Sequence, residues 1–258
     1  VACGAREITL LGQNVNAYHG ADSSGTMGLG RLMRRLAEID GLERIRYTTS
    51  HPRDVDDDLV AAHRDVPKLM PYLHLPAQSG SDRVLAAMNR KYTIGEYRGV
   101  VERLRAARPD LALSSDFIVG FPGETEAEFE ETLQLARDIG FAQAYSFKYS
   151  ARPGTPAAAL DGQVGPETMI ERLARLRALL DKLQLDFNQQ FVGRTIDVLL
   201  DRRGRASGQL IGRSAHMQAV YLRAPAEYLG RMVSVNVTAA FSNSVSGECA
   251  DGGAAGRE

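Results

Sequence analysis

The stretch SSDFIVGFPGETEAEFEET, from Ser114 to Thr132, contains the pattern that decides the fold of the first two thirds of the chain. Its apolar run ends at Val119 and predicts a strand, and the glycine-rich GFPGET that follows predicts a tight turn. Thr125 and Glu128 have the spacing of a capping box, so a helix is expected to begin there. A strand, a turn and a helix in this order predict one unit of a parallel α/β fold.

The same alternation of strand and helix extends in both directions from this stretch. Polar or glycine-rich segments follow the strands, and parallel pairing brings such segments to one rim in a barrel and in an open doubly wound sheet. Periodicity does not choose between these two folds. Strands are predicted at residues 7–12, 44–49, 71–75, 111–119 and 142–147, and helices at residues 29–39, 54–63, 81–89, 93–108 and 125–140.

The last third of the chain has a different pattern. A long helix is predicted over about residues 166–190, with one apolar seam that includes Leu176 and Leu180. Packing of this seam on the chain's own core is favoured over a coiled-coil dimer, because the seam spans only about two heptads. Beyond Gly193, period-two segments at 195–200, 216–221 and 232–237 predict a small β-barrel, and residues after 250 are expected to be disordered.

Composition limits the class of protein. The chain has 258 residues, a formal net charge of -1 and 44% hydrophobic residues, which is typical of a globular protein. No apolar run reaches the roughly 20 residues of a membrane span, and Arg6 and Glu7 argue against a signal peptide. Cys3 and Cys249 form neither a disulfide framework nor a metal motif, so two free thiols in a reducing cytoplasm are expected.

Charge is distributed unevenly along the chain. Residues 191–248 contain seven arginines and four carboxylates, so this part is basic although the whole chain is not. A modestly basic surface permits contact with phosphate groups.

Several polar residues lie where a functional site is expected, and each has a structural alternative. Gln78 and Ser79 could hydrogen-bond a sugar or an amino-acid moiety, while Ser81 suits a helix cap. The histidines at 51 and 74 have no metal partner at a recognisable spacing, which favours structural roles for them. Asp116 lies inside a predicted strand and needs a buried partner or a ligand.

Five segments together resemble the radical-SAM methylthiotransferases, in the order of that family. The wording GQNVNAY, TSHP and LHLPAQSGS is most similar to the branch that modifies tRNA. The segments are EITLLGQNVNAY (residues 7–18), RIRYTTSHP (44–52), YLHLPAQSGSDRVLAAMNRKYT (72–93), SSDFIVGFPGETEAEFEET (114–132) and FKYSARPGTPAA (147–158).

The resemblance implies a fold and a division into domains. Residues 1–188 would form an incomplete radical-SAM (β/α)6 barrel of the TIM-like class, without its first strand and ending in the linker helix. Residues 191–248 would form a TRAM domain, a small all-β barrel that binds RNA, and residues 249–258 a disordered tail. Because the chain starts at Val1 with a strand close behind, we expect it to be truncated at its N-terminus.

The resemblance also implies a reaction and its cofactors. The family methylthiolates C2 of N6-isopentenyladenosine at position 37 of tRNA, using S-adenosyl-L-methionine and two 4Fe–4S clusters. The cluster cysteines, which include a CxxxCxxC loop, are absent from this sequence. No metal ligand is therefore assigned, no catalytic residue is identified, and the chain alone is expected to be inactive.

Candidate contact residues follow from the positions that match the family. The resemblance places Gln13, Asn14, Gln78, Ser79, Ile118 and Gly120 at S-adenosylmethionine, and Arg152, Arg202, Arg203 and Arg213 at the substrate. Stacking of RNA bases is expected on Tyr221 or Tyr228.

The expected partners are the tRNA anticodon stem-loop and an electron donor such as flavodoxin, with no membrane and a monomeric state. Two alternatives stay open: the related branch that methylthiolates an aspartate of a ribosomal protein, and a non-catalytic RNA-binding fragment.

Overall fold

The computed structural model describes residues 1–22 and 25–250. In the first two thirds of the chain, strands alternate with helices as the sequence predicts. The strands there are β1 (Glu7–Leu10), β2 (Gly20–Asp22), β3 (Gly25–Met27), β4 (Arg44–Tyr47), β5 (Tyr72–His74), β6 (Ala112–Val119) and β7 (Gln143–Lys148). The helices are α1 (Leu29–Ala37), α2 (Asp57–Asp65), α3 (Asp82–Ala87), α4 (Ile94–Ala107), α5 (Glu126–Ile139) and α6 (Pro166–Gln189). Short 3-10 helices lie at Val15–Ala17, Pro52–Asp54, Pro156–Ala159 and Ala226–Tyr228.

The strands that alternate with helices pair in parallel, as predicted. β1 pairs with β4, and β5, β6 and β7 form a second sheet in that order. The two sheets are joined at Ile45, whose N–H donates to Lys68 O at 2.7 Å and whose carbonyl accepts from Met70 N at 3.0 Å. The prediction of a radical-SAM barrel that lacks its first strand goes beyond this pairing and stays a prediction. β2 and β3 form an antiparallel hairpin that the sequence did not predict.

Successive side chains of a strand point to opposite faces, and the two faces of these sheets differ sharply. In β4, Ile45 and Tyr47 are buried in the apolar core beneath the helices. Arg44 and Arg46, which alternate with them, are also buried, but on the opposite face. We call this opposite face the inner face, and it carries most of the candidate functional groups.

Helix starts follow local sequence signals. The predicted capping box of α5 is formed, because Thr125 exchanges hydrogen bonds with Glu128, and α4 begins with a second capping box between Thr93 and Glu96. α5 ends at Gly140, which adopts the left-handed conformation with φ of 63°. The predicted start of α2 at residue 54 was wrong, because the Asp56 carboxylate accepts from Leu59 N at 2.7 Å and begins the helix at Asp57.

The 24-residue helix α6 joins the two apolar cores of the molecule. Leu176 and Leu180 are buried in the core of the α/β part, which confirms that the seam packs on the chain itself. Near its C-terminal end, Phe187 packs against the core of the last third of the chain.

The last third forms a closed barrel of five strands, as predicted. Closure removes exposed strand edges and so stabilises a small sheet. The strands are β8 (Thr195–Arg203), β9 (Gln209–Ser214), β10 (Ala219–Arg223), β11 (Met232–Phe241) and β12 (Ser244–Cys249), in the order β10-β12-β11-β8-β9.

One predicted strand of this barrel begins later than expected. Residues 216–221 were predicted as a strand, but β10 begins at Ala219. Ser214 and Gln218 close a turn through hydrogen bonds between their backbones and side chains, and Met217 within it has φ of 69°. Alternating polarity does not reveal such a turn. The predicted disorder at 251–258 lies outside the described residues.

Within the described residues, no helix is both long enough and apolar enough to span a membrane.

Candidate active site

The inner face is built from one residue of each parallel strand at nearly the same level. The strand register places Thr9 beside Arg46 and Asp116 beside Tyr145, while His74 lies beside Ser114. Two cavities lie here. Asp116 lines both of them, and Thr9, Arg46, His74 and Tyr145 line one.

The first cavity, here called the rim cavity, lies at the carboxyl ends of β6 and β7 and has a volume of about 600 Å³. Apolar surface comes from Ile118 and Phe147, and charged groups come from Asp116 and Arg152. The residues that line it are Gln78, Asp116, Ile118, Phe147, Lys148, Tyr149, Ser150, Arg152, Thr155 and Ala157.

Gln78 is held in the wall of the rim cavity by its backbone. Its N–H donates to Asp116 O at 2.9 Å, and its carbonyl accepts from Ile118 N at 2.9 Å. Gln78 has φ of 68°, a left-handed conformation that is uncommon outside glycine. Such strain persists only where surrounding contacts fix it, and it concentrates at functional sites.

The predicted S-adenosylmethionine contacts do not all meet at this cavity. Gln78 and Ile118 line it, together with Arg152 from the predicted substrate set. Ser79 is fully buried, and its hydroxyl lies 3.4 Å from the Thr132 hydroxyl, so it serves packing in this structure. Gly120 is buried beneath the side chain of Met169 and does not line the cavity.

Gln13 and Asn14 are exposed in the loop after β1 and line neither cavity. The Asn14 side chain instead donates to the Asp54 carboxylate at 2.6 Å. The residue that anchors this loop is the buried Asn16, whose side chain exchanges two hydrogen bonds of 2.8 Å with the backbone of His51. Sequence reasoning missed Asn16, although its place between two apolar-facing residues of GQNVNAY was a possible signal.

The second cavity, here called the inner cavity, has a volume of about 420 Å³ and lies on the inner face below the rim. Both parts of the chain line it. The lining residues are Thr9, Leu11, Arg46, Tyr47, Thr48, Tyr72, His74, Asp116, Gln143 and Tyr145 from the α/β part, and Arg213 and Met217 from the small barrel.

Two rows of contacting polar side chains line the wall of the inner cavity. His74 Nδ1 lies 2.6 Å from Ser114 Oγ, and His74 Nε2 lies 3.4 Å from Asp116 Oδ2. In the other row of side chains, Tyr72 donates to the Gln143 side chain at 3.1 Å, and Gln143 donates to the Tyr145 hydroxyl at 2.8 Å. Asp116 thus has the partner that the sequence required but did not identify.

Arg44 and Arg46 fix the small barrel against the inner face. Arg44 donates to Arg213 O at 2.7 Å and to Asp197 O at 2.8 Å. Arg46 donates to the carbonyls of the two residues after Arg213, at 2.8 and 2.9 Å. Burial lowers the pKa of both guanidinium groups, and Glu7 lies 3.0 Å from Arg46 as their shared counter-charge.

A second buried ion pair supports the rim turn. Glu124 accepts from Gly120 N at 2.7 Å and from Arg172 of α6 at 2.9 Å. Burial raises the pKa of Glu124 despite this partner. The pair fixes the GFPGET turn to α6, so the turn is held by buried electrostatics as well as by backbone geometry.

The predicted substrate arginines of the small barrel fall into two groups. Arg202 and Arg203 are exposed on β8, where they are available to phosphate groups. Arg213 is half-buried, donates to Met217 O at 3.3 Å and lines the inner cavity.

The described residues supply no site for an iron–sulfur cluster. Cys3 is exposed, Cys249 lies in β12 of the small barrel, and no three His, Cys, Asp or Glu side chains within 1–22 and 25–250 group around a common point. The rim cavity has a mixed apolar and charged surface.

Two family models match the chain. The radical SAM superfamily model matches residues 2–136, which is just over half of the chain. The TRAM domain model matches residues 189–250, which include all five strands of the small barrel.

Three solved structures are similar to parts of this chain. Coproporphyrinogen III oxidase (HemN) from Escherichia coli, a radical SAM enzyme, has a TM-score of 0.49 and 20% identity and covers 60% of this chain and 36% of that one. The radical S-adenosylmethionine methyltransferase TsrM from Kitasatospora setae, solved with cobalamin and a [4Fe-4S] cluster, has a TM-score of 0.47 and 12% identity over 81% of this chain and 34% of that one. Elp3 from Methanocaldococcus infernus has a TM-score of 0.42 and 10% identity, and the match covers 70% of this chain and 43% of that one. The chain therefore spans between a third and a half of the length of these structures.

Proposed function

This chain belongs to the radical SAM superfamily and carries a TRAM domain, and from this premise we propose that the whole protein methylthiolates tRNA. The proposed substrate is N6-isopentenyladenosine at position 37, next to the anticodon, and the reaction replaces the hydrogen on C2 with a methylthio group. Support at this level of detail comes from the resemblance of the five strand-and-loop segments to the tRNA branch of the methylthiotransferases.

The observation that carries the proposal is the meeting of two domains at one cavity. Asp116 lines both the rim cavity and the inner cavity, and Arg213 of the TRAM domain lines the inner cavity. The radical SAM part and the RNA-binding part therefore share a surface of a size suited to one nucleotide base. An enzyme that modifies a base within RNA needs such a shared surface.

The rim cavity fits S-adenosylmethionine. Ile118 would provide apolar surface for its adenine, and the charged Asp116 and Arg152 would contact the polar groups of its other end. When bound, S-adenosylmethionine supplies a methyl group and a radical that removes hydrogen.

The described residues do not fit the clusters that the family requires, so no step is assigned to a cluster. We propose that activity belongs to the whole protein, and that this chain contributes the rim cavity, the inner cavity and the RNA-facing barrel.

The test is the nucleoside content of tRNA. A strain that lacks the gene should contain N6-isopentenyladenosine without the methylthio group, as measured by liquid chromatography and mass spectrometry of digested tRNA. The intact gene should restore the methylthio group. Unchanged methylthio content in the deletion strain would overturn the proposal, and loss of a methylthio-aspartate from a ribosomal protein would assign the protein to the other branch.

A further inference from the structure

The inner cavity contains a hydrogen-bonding pair that the structure leaves only partly satisfied. His74 Nε2 and Asp116 Oδ2 are 3.4 Å apart, which is longer than an ordinary hydrogen bond. Within the described residues, neither oxygen of the Asp116 carboxylate accepts a closer hydrogen bond, and its side chain retains 29% of its exposure. Both groups can therefore bind a ligand that enters the cavity.

The contacts at both ring nitrogens of His74 favour one tautomer, because the Asp116 carboxylate that faces Nε2 can only accept a hydrogen bond. Ser114 Oγ lies 2.6 Å from His74 Nδ1 and can donate its hydroxyl hydrogen to that nitrogen. The neutral imidazole then carries its hydrogen on Nε2, on the side of Asp116. The pair thus presents one donor, His74 Nε2–H, beside one acceptor, the Asp116 carboxylate.

A donor beside an acceptor matches the edge of adenine that carries N7 and N6. Adenine presents the N7 acceptor beside the N6–H donor, whereas guanine presents two acceptors, N7 and O6, on the same edge. A carboxylate facing O6 would repel guanine. An adenine with one N6 substituent still has one N6–H, so the match is kept for a modified adenosine.

Aromatic side chains suit the same ligand. Tyr72 and Tyr145 line the inner cavity, and Tyr145 is 48% exposed. Proteins commonly read unpaired RNA bases by stacking them on such rings and contacting their edges. Arg213 brings the TRAM domain to the same cavity and adds positive charge where a nucleotide phosphate would follow its base.

We propose that the inner cavity binds the target adenine, with His74 donating to N7 and Asp116 accepting from N6–H. This assignment rests on the proposed function, because it takes an unpaired adenosine of RNA as the ligand. It also has a chemical consequence. C2 lies across the six-membered ring from C5, which bears N7, so recognition of the N7 edge leaves C2 free of the pair.

The test compares RNA stem-loops that differ in one atom. The chain should bind a stem-loop with an unpaired adenosine about three to ten times more tightly than one with 7-deazaadenosine at that position, since one hydrogen bond is lost. His74→Leu should bind both RNAs equally, with the affinity that the unaltered chain has for the 7-deaza RNA. Fluorescence anisotropy measures both affinities.

A second variant changes the preference and not only the strength of binding. Asp116→Asn gives a side-chain amide that can donate to O6, so it should favour inosine over adenosine at this position, while the unaltered chain favours adenosine. His51→Leu is the matched control, because His51 lies against Tyr92 outside the cavity and should keep the adenosine preference. Circular dichroism of each variant verifies that it is folded.

The outcomes separate the two proposals. Equal affinity of the unaltered chain for the adenosine and 7-deazaadenosine RNAs overturns the base-reading role and leaves the proposed function standing. Failure to bind either RNA also overturns the RNA-facing role of this chain, whereas the nucleoside content of tRNA from the deletion strain decides the proposed function.

Discussion

Glu128 connects three groups at the turn between β6 and α5. Its carboxylate accepts from the Thr125 backbone N–H at 2.8 Å, and it pairs with Arg83 and accepts from the Ser81 hydroxyl at 3.3 Å. The hydrogen bonds from Arg83, the largest cause, and from Thr125 lower the pKa of Glu128 to about 2. Arg83 in turn donates to Gly123 O at 2.5 Å, so the carboxylate also fixes the rim turn.

The lowered pKa predicts how stability depends on pH. A carboxyl group whose pKa is lower in the folded state stabilises the protein above its unfolded pKa of 4.5 and loses that contribution as pH falls toward about 2. Glu128→Gln should cost about 1–2 kcal/mol at pH 7, allowing for solvent screening at the rim. Urea unfolding should show the unaltered chain and the variant converging between pH 4.5 and pH 2. A constant difference across that range would contradict this role.

Whether a side-chain contact could be predicted depends on how far apart its two residues lie in the sequence. Glu128 was identified because its cap partner is three residues away. The pairing of His74 with Asp116 was not identified, because it depends on how β5 and β6 align. Asn16 was missed for the same reason, since its partner His51 lies 35 residues away.

Two glycines, one at the end of a helix and one inside a helix, provide a matched pair for substitution by alanine. Gly140 ends α5 with φ of 63°, and Gly99 lies inside α4, yet an added Cβ would meet nothing within 4 Å at either position. Any difference between the two alanine variants therefore comes from the backbone.

Gly140→Ala should lower the free energy of unfolding by about 1 kcal/mol, because alanine disfavours the left-handed conformation. Gly99→Ala should raise it by about 0.5–1 kcal/mol, because alanine favours helix. Thermal unfolding followed by circular dichroism measures both. If both variants shift the melting temperature in the same direction, the conformation assigned to Gly140 is wrong.

At the element scale, the helices and strands of the α/β part could be predicted because periodicity and caps are local. The predicted starts of α2 and β10 were wrong. The side-chain cap at Asp56 sets the start of α2, and the turn at Ser214–Gln218 sets the start of β10, and neither follows from the apolar pattern. Closure of the small barrel followed from the need to remove strand edges, but its strand order did not.

Arg44 and Arg46 hold the two domains together at the scale of the whole molecule. Arg46→Met would remove the charged donor of the Ser214 and Ala215 carbonyls and leave the Glu7 carboxylate with only the more distant Arg44, at 3.9 Å. Breaking a buried ion pair from one side costs about 3–5 kcal/mol, so the variant should unfold at a much lower urea concentration.

The control for this prediction is Arg202→Met, which removes an exposed arginine of the same barrel and should change stability by less than about 0.5 kcal/mol. Calorimetry should also show the Arg46 variant unfolding in two separate transitions. Equal stability of the Arg46 and Arg202 variants would contradict the interdomain role.

The interdomain contact could not be predicted from the sequence. Two arginines in a strand look like solvent-exposed residues, and only the barrel that covers them makes them buried. The division into an α/β part and a small barrel followed from the change of periodicity, but the inner cavity that both parts line did not.

The same contact has a consequence for biosynthesis. Arg44 and Arg46 reach their carbonyl partners only after a further 153 to 169 residues have been added to the growing chain. Until then the nascent α/β part displays two uncovered guanidinium groups beside an unfinished apolar core, at a stage when domains otherwise fold as they emerge. The inner face is therefore completed only after residues 213–215 have been made, and a chain that stops before residue 213 has a strand β4 that still lacks its cover.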